Sequence, residues 1–227
     1  MKRRFYRNFL YISLIFGLVL PAGCKKKSYQ INGTVSNELF WGKQVYLVAL
    51  DAPVTGNVDS TIIDNGKFFF KGKADSLDVR ILRVQPQFPE YLEDLVVVLE
   101  AGTIRAKLAN KSSGSGTPLN NRVQEWKNTK AFYDSIQWRI IQQKHQDEIS
   151  QNGKDSLTRL SEELNNIFLS DNICTINENA VNGLGLFLFK LYYQHIPAND
   201  KNEIISKTGT LYFERDQELK NRIGNNL

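Results

Sequence analysis

Thr61-Ile62-Ile63-Asp64-Asn65-Gly66-Lys67-Phe68-Phe69-Phe70 decides how the first half of this chain folds. Asn and Gly both tolerate the positive φ of a tight primed turn, and β-branched and aromatic runs flank them, so the stretch predicts two strands meeting at Asn65-Gly66. Working outward, the same period of two recurs. Ile31, Gly33 and Val35 alternate upstream, followed by Val45, Leu47 and Ala49; Phe68 and Phe70 alternate downstream. Further strands are expected at 79–84, 95–99 and 104–108, the last two joined through Ala101-Gly102. Alternation of this kind means one packed face and one wet face. Seven short strands predict an antiparallel β-sandwich or partly open barrel over residues 29–118.

Lys111 to Pro118 is rich in Ser and Gly, reads as a loop, and marks where the period changes to that of helices. Residues 119–227 therefore form an α-helical region, and the chain as a whole is α+β. Val123, Trp126, Tyr133, Ile136 and Ile140 make one stripe of a long helix from about Asn120 to Gln151, ended by Asn152-Gly153. Trp126 and Trp138 are read as helix packing. Asp155 or Ser156 is placed as cap of the next helix, with Leu157, Leu160, Leu164, Ile167 and Phe168 as its stripe. A third helix, about Asn179 to Gln194, is apolar almost all round from Leu184 to Tyr193, which predicts burial on several sides. That run is too short for a membrane span and is interrupted by Lys190. Asn199-Asp200 and Gly209 bound a short fourth helix, and a fifth is expected from Leu211 to Ile223. Cys174, between Asp171 and Glu178, is expected to be an inert thiol in the link before the apolar helix.

The N-terminus reads as an address. Lys2, Arg3, Arg4 and Arg7 precede an apolar run from Phe9 to Leu20, the basic and apolar regions of a signal peptide over residues 1–23. The run of about twelve residues falls short of the ~20 that a spanning helix requires. Those four are the only charged residues ahead of Cys24, so the net charge of +5 is largely the address's own. The rest is near neutral, which argues against nucleic acid as a partner, since such binding relies on a dense basic face. Ala22-Gly23-Cys24 resembles the bacterial lipoprotein signal, with Pro21 standing where that signal usually has Leu. The resemblance implies lipidation of Cys24 and a lipidated tether over residues 24–28, with the membrane as a partner through the anchor. It also places the protein in the cell envelope. Lys25 after the cysteine, rather than Asp, points to the outer membrane. With Cys24 so committed, Cys174 has no disulfide partner, and no ligand cluster calls for a metal or other cofactor.

Val58 to Gly72, Leu99 to Gly102 and Gly116 to Asn120 resemble a domain of unknown function common in Bacteroidota lipoproteins. It usually stands ahead of a thioredoxin-like domain of the thiol-disulfide oxidoreductase and peroxiredoxin type. The resemblance implies a β-sandwich with appended helices and brings no catalytic residues. No Trp-Cys-x-x-Cys motif occurs in this sequence, so no redox activity comes with it.

Individual residues add little chemistry. Asp59-Ser60 reads as an edge-strand or turn pair rather than a nucleophile, and His145 and His195 as helix or helix-end residues. Trp41, Glu93 and Asp94 are candidate ligand-binding residues, Trp41 as a stacking platform and the acids, with Glu90, as a loop cluster. Ser60, Ser76, Ser135 and Ser156 each follow Asp and precede a small or aliphatic residue, a pattern that resembles envelope O-glycosylation in Bacteroidota. The reading is an envelope lipoprotein acting as a non-catalytic binding or interaction module, with a glycan or an envelope protein as partner. The alternative is an accessory subunit of a separate periplasmic thioredoxin-like oxidoreductase.

Overall fold

Asn65 and Gly66 adopt φ of 47° and 74°, and Asp64 and Lys67 close the turn with reciprocal backbone bonds of 2.8 and 2.9 Å. The primed turn is therefore formed as the sequence predicts. The computed structural model describes residues 27–50, 58–146, 149–209, 211–212 and 219–221. The signal peptide, Cys24 and most of the expected fifth helix lie outside the described residues. Those of the fifth helix that are described, 211–212 and 219–221, are helical.

Eight strands make up the N-terminal part: β1 (Ser28–Val35), β2 (Gln44–Ala49), β3 (Asp59–Ile62), β4 (Lys67–Lys73), β5 (Val79–Val84), β6 (Leu95–Val98), β7 (Gly102–Leu108) and β8 (Ser113–Ser115). They form two four-stranded sheets, ordered β4-β1-β7-β8 and β3-β2-β5-β6, a sandwich rather than a closed barrel. Pairing is antiparallel except between β1 and β7, which run parallel from Tyr29↔Gly102 to Val35↔Leu108. The Asn65-Gly66 turn joins the two sheets: beyond Asp64↔Lys67, β3 pairs with β2 and β4 with β1. Ile63 and Phe68, both in the core, occupy the space between the diverging strands.

β8 falls inside the stretch expected to be a loop. Ser-Gly-Ser carries no hydrophobic alternation, so only its pairing with β7, from Arg105↔Ser115 to Lys107↔Ser113, reveals the strand. Its Gly114 faces Leu95 of β6 and narrows that side of the sandwich.

Among the described residues up to Thr208 four helices follow: α1 (Pro118–Lys144), α2 (Gln151–Glu178), α3 (Gly183–Tyr192) and α4 (Ala198–Thr208). The first helix stops earlier than expected. His145 ends α1, and Ser150 caps α2 by accepting from the Gly153 amide at 3.2 Å, so Asn152-Gly153 begins a helix instead of ending one. Helix α2 then runs on to Glu178. Cys174 is thus an exposed helical residue, not part of a link, with Sγ 3.8 Å from Glu178 Oε1.

The apolar helix α3 is buried from Gly183 to Phe189. Val79 and Val98 of β5 and β6, Val123, Trp126, Ile176, Ile204, Tyr212 and Leu219 surround it. Gly185 lets it approach, because a Cβ there would stand 2.1 Å from the Asn179 carbonyl oxygen. Asn182 caps its start, accepting from the Leu184 and Gly185 amides at 3.0 and 3.4 Å. β6, covered by the facing sheet on one side and by helices on the other, is apolar at every position, as a doubly buried strand must be. Trp126 packs edge-on to Phe187, as expected for core, but Trp138 is 61% exposed. The expected stripe of α2 is also open in part, Leu160 and Ile167 each being about half exposed. The distal seam between α1 and α2 is polar instead, with Gln137 bonded to Ser161 and Asn165 and Lys144 to Thr158.

Candidate functional site

The helices pack on the β3-β2-β5-β6 sheet, so the outer face of the β4-β1-β7-β8 sheet is left to solvent. Period-two alternation fixes what it presents: the odd positions of β4 and β7 and the even positions of β1 point outward. Register then sets the rows. Lys71, Gln30 and Thr103 form one; Phe69, Asn32, Arg105 and Ser115 the next; Lys67, Thr34, Lys107 and Ser113 the third. Lys73 stands beside Ser28 at the end nearest the N-terminus. Rows lie about 7 Å apart and neighbours within a row about 5 Å apart.

The outward positions therefore carry five cations, Lys67, Lys71, Lys73, Arg105 and Lys107, and no carboxylate. None of the five is ion-paired with a described residue. Some cations elsewhere are paired: Arg80 with Asp78, Arg83 with Asp94, Lys127 with Glu93, each at 2.6 Å. The face is hollowed. A depression of about 990 Å³ runs over Asn32, Thr34, Phe69, Arg105, Lys107 and the β8 serines, with Thr61, Ile62 and Asp64 of the β3–β4 corner along one rim. Phe69 is 45% exposed on its floor.

The residues singled out from sequence lie elsewhere. Trp41 follows the 3-10 turn Glu38–Phe40, and its indole N–H donates to the Val35 carbonyl at 3.2 Å beside the Gly66 turn. Glu93 accepts from the Ser112 amide at 2.7 Å and from Lys127 at 2.6 Å, tying the β5–β6 connection to α1. Glu93 and Asp94 share a groove with Lys127, which does not include Trp41. Asp59 and Ser60 lie on an edge strand. His145 sits at the end of α1 with Nδ1 2.8 Å from the Ile141 carbonyl oxygen, and His195 lies just past α3; both are exposed, as helix-end residues. Ser60, Ser76, Ser135 and Ser156 are all exposed. Among the described residues no group of His, Cys, Asp and Glu is placed to hold a metal ion. No described helix is long and apolar enough to cross a membrane.

The basic face itself escaped the sequence reading, although half of its signal was present. Lys67, Phe69, Lys71 and Lys73 alternate outward, as do Arg105 and Lys107. What the sequence does not display is that β1 lies between these two strands.

Fold and face together define a two-sheet sandwich, backed by helices on one side and open on the other. Residues 29–123 match the model of a family described as a domain of unknown function, DUF4369. The match runs from Tyr29 in β1 through β8 to the first turn of α1 and bears out the expectation of a domain of unknown function there. No curated protein and no solved structure matches the chain.

Proposed function

We propose that this protein is an envelope lipoprotein, tethered through Cys24, whose sandwich is a non-catalytic binding module working through the outer face of β4-β1-β7-β8. The observation that carries the binding role is the hollowed face with five cations unpaired among the described residues. A binding surface requires side chains left free for a ligand, and this sheet gathers five such cations on one face, three of them, Lys67, Arg105 and Lys107, lining its hollow. The anchor is argued from sequence: basic residues, a short apolar run, then Ala22-Gly23-Cys24. Cys24 stands four residues ahead of β1, a span of at most about 14 Å, so the anchored sandwich would stay close to the bilayer.

Cys24→Ser tests the anchor. The variant is expected in the soluble envelope fraction while the wild type stays with the membrane. Equal retention of both in the detergent phase refutes lipidation at this position. Recovery of the wild type with inner-membrane vesicles would contradict the outer-membrane assignment that Lys25 suggests.

One observation favours the second reading, an accessory subunit of a separate thioredoxin-like oxidoreductase. The α1–α2 hairpin exposes the large apolar side chains Phe132, Trp138, Ile141, Leu160 and Ile167, which a protein partner would cover. Selective co-purification of such an oxidoreductase with the wild type, lost on Leu160→Glu, would support that reading over the first.

A further inference from the structure

Resting on the binding-module reading above, we infer that the open sheet face binds an acidic polysaccharide, a sugar polymer bearing carboxylate groups. Two features of the face converge on this class. Lys67 and Lys107 flank Thr34, and Arg105 flanks Asn32, so cations alternate with amide and hydroxyl groups across the rows. A chain of sugars bearing both carboxylates and hydroxyls presents the complementary alternation. Phe69 lies exposed among them, and the negative face of an aromatic ring suits the C–H face of a sugar.

Rival occupants fit less well. A bilayer surface is flat, whereas this face is hollowed and its polar groups include the floor residue Asn32. An extended peptide gains affinity by pairing with a free strand edge. The hollow lies over β1 and β7, each paired on both sides, so there only side chains are on offer, and the free edge of β4 carries the lysines that discourage strand addition. Duplex nucleic acid would need a dense basic surface, and five cations on the face, three of them around the hollow, do not supply one.

The test uses the full chain purified in a non-ionic detergent, with polygalacturonate, neutral dextran and mixed micelles of phosphatidylglycerol as probes. Affinity electrophoresis is expected to show retention by polygalacturonate, weakened by salt, and none by dextran. The double charge reversal Arg105→Glu/Lys107→Glu, at exposed outward positions, should weaken retention roughly tenfold or more, since two attractions become two repulsions. Phe69→Ala should weaken it without changing its salt dependence. A control reversal away from the face, Arg139→Glu/Arg159→Glu on the α1–α2 hairpin, alters net charge equally and should leave retention unchanged. Circular dichroism checks that each variant is folded. Equal retention of the face and control variants overturns the proposal. If the micelles bind through Arg105 and Lys107 while polygalacturonate does not, the face is a lipid-docking surface; the polysaccharide assignment falls and the binding-module reading stands. Absence of retention by either acidic probe overturns both.

Discussion

Asn120 is the residue through which the helical region grips the sandwich, and Asn120→Ala measures that grip. β6 is the edge strand of its sheet, so the Val98 N–H and C=O have no strand to pair with. Asn120 takes the place of one. Its Oδ1 accepts from Val98 N at 3.0 Å, and its Nδ2 donates to Val98 O at 2.8 Å and to Thr117 Oγ1 at 2.8 Å. Next to it, Glu100 Oε1 accepts from the Leu119 and Asn120 amides at 2.5 and 3.1 Å, satisfying the free N–H groups at the start of α1. Asn120 is 1% exposed and Thr117 3%, so truncation strands the buried Val98 N–H and the Thr117 hydroxyl, while the Val98 carbonyl keeps the Glu100 amide at 2.8 Å. Each buried unsatisfied group costs about 1–3 kcal/mol. The vacated space can admit a water that recovers part of this, which leaves an expected loss of about 2–4 kcal/mol. For a chain of this size that is about 5–15 °C in Tm. Urea unfolding supplies the free energy, and amide exchange at Val98 reports the local event. Asn120→Asp should be at least as damaging near neutral pH, because the second oxygen would face the Val98 carbonyl. A loss below about 1 kcal/mol with the Val98 amide still protected would refute the clamp.

Gly66→Val should destabilise by roughly 1–3 kcal/mol, since φ of 74° strains a β-branched residue and its Cβ would stand 2.8 Å from the Val35 carbonyl oxygen; an unchanged urea midpoint would remove the argument. The Tyr192 hydroxyl is buried with no hydrogen-bond partner among the described residues, and burial, with Asp134 adding to it, pushes its pKa up to about 12. The folded state therefore prefers the neutral phenol: this contribution is complete below pH ~10, the unfolded value, and declines as pH rises from there toward 12. Burial moves Tyr212 in the same direction. Tyr192→Phe should leave stability at neutral pH unchanged or higher and flatten the alkaline decline of Tm between pH 9 and 12; superimposable curves would show that the hydroxyl does not matter.

What the sequence made legible follows from how local each signal is. Asn65-Gly66 needs only its two residues' backbone preferences, and the turn forms as read. The alternation in β1, β4 and β7 records one wet face and one dry face, and both are where the pattern puts them. Helix α4 and its Gly209 terminus, with φ of 56°, were equally local. The errors lie where distant segments decide. β8 has no apolar pattern and exists through its partner β7. The break between α1 and α2 is set by the Ser150 cap, while Asn152-Gly153, a stop signal in isolation, is accommodated in the first turn of the next helix. The α2 stripe was read as packed because its period is helical, but periodicity cannot say whether a third helix reaches its N-terminal half. Asn120 looked like any helix-start residue, since its role depends on the edge of a strand twenty-two positions earlier.

A bland account of the basic face is that alternating strands must put something polar outside, and lysine serves. That account predicts charges of mixed sign, which keep a wet surface soluble without self-repulsion. The protein follows this rule elsewhere: Lys130 with Asp134 on α1 and Lys207 with Glu203 on α4 join the pairs already described on β5 and α1. On the open sheet it does not. Lys67 and Lys107 stand about 10 Å apart across Thr34, and Lys71 and Lys73 occupy successive outward positions of one strand. Exposed like charges at such spacings cost roughly a few tenths of a kcal/mol per neighbouring pair after screening. Edge protection gives lysine a reason on β4, which borders its sheet, but not Arg105 and Lys107, because β7 is interior. The interior cations are thus the ones that neither solubility nor edge protection accounts for, and they line the hollow. A ligand carrying the missing negative charge does account for them.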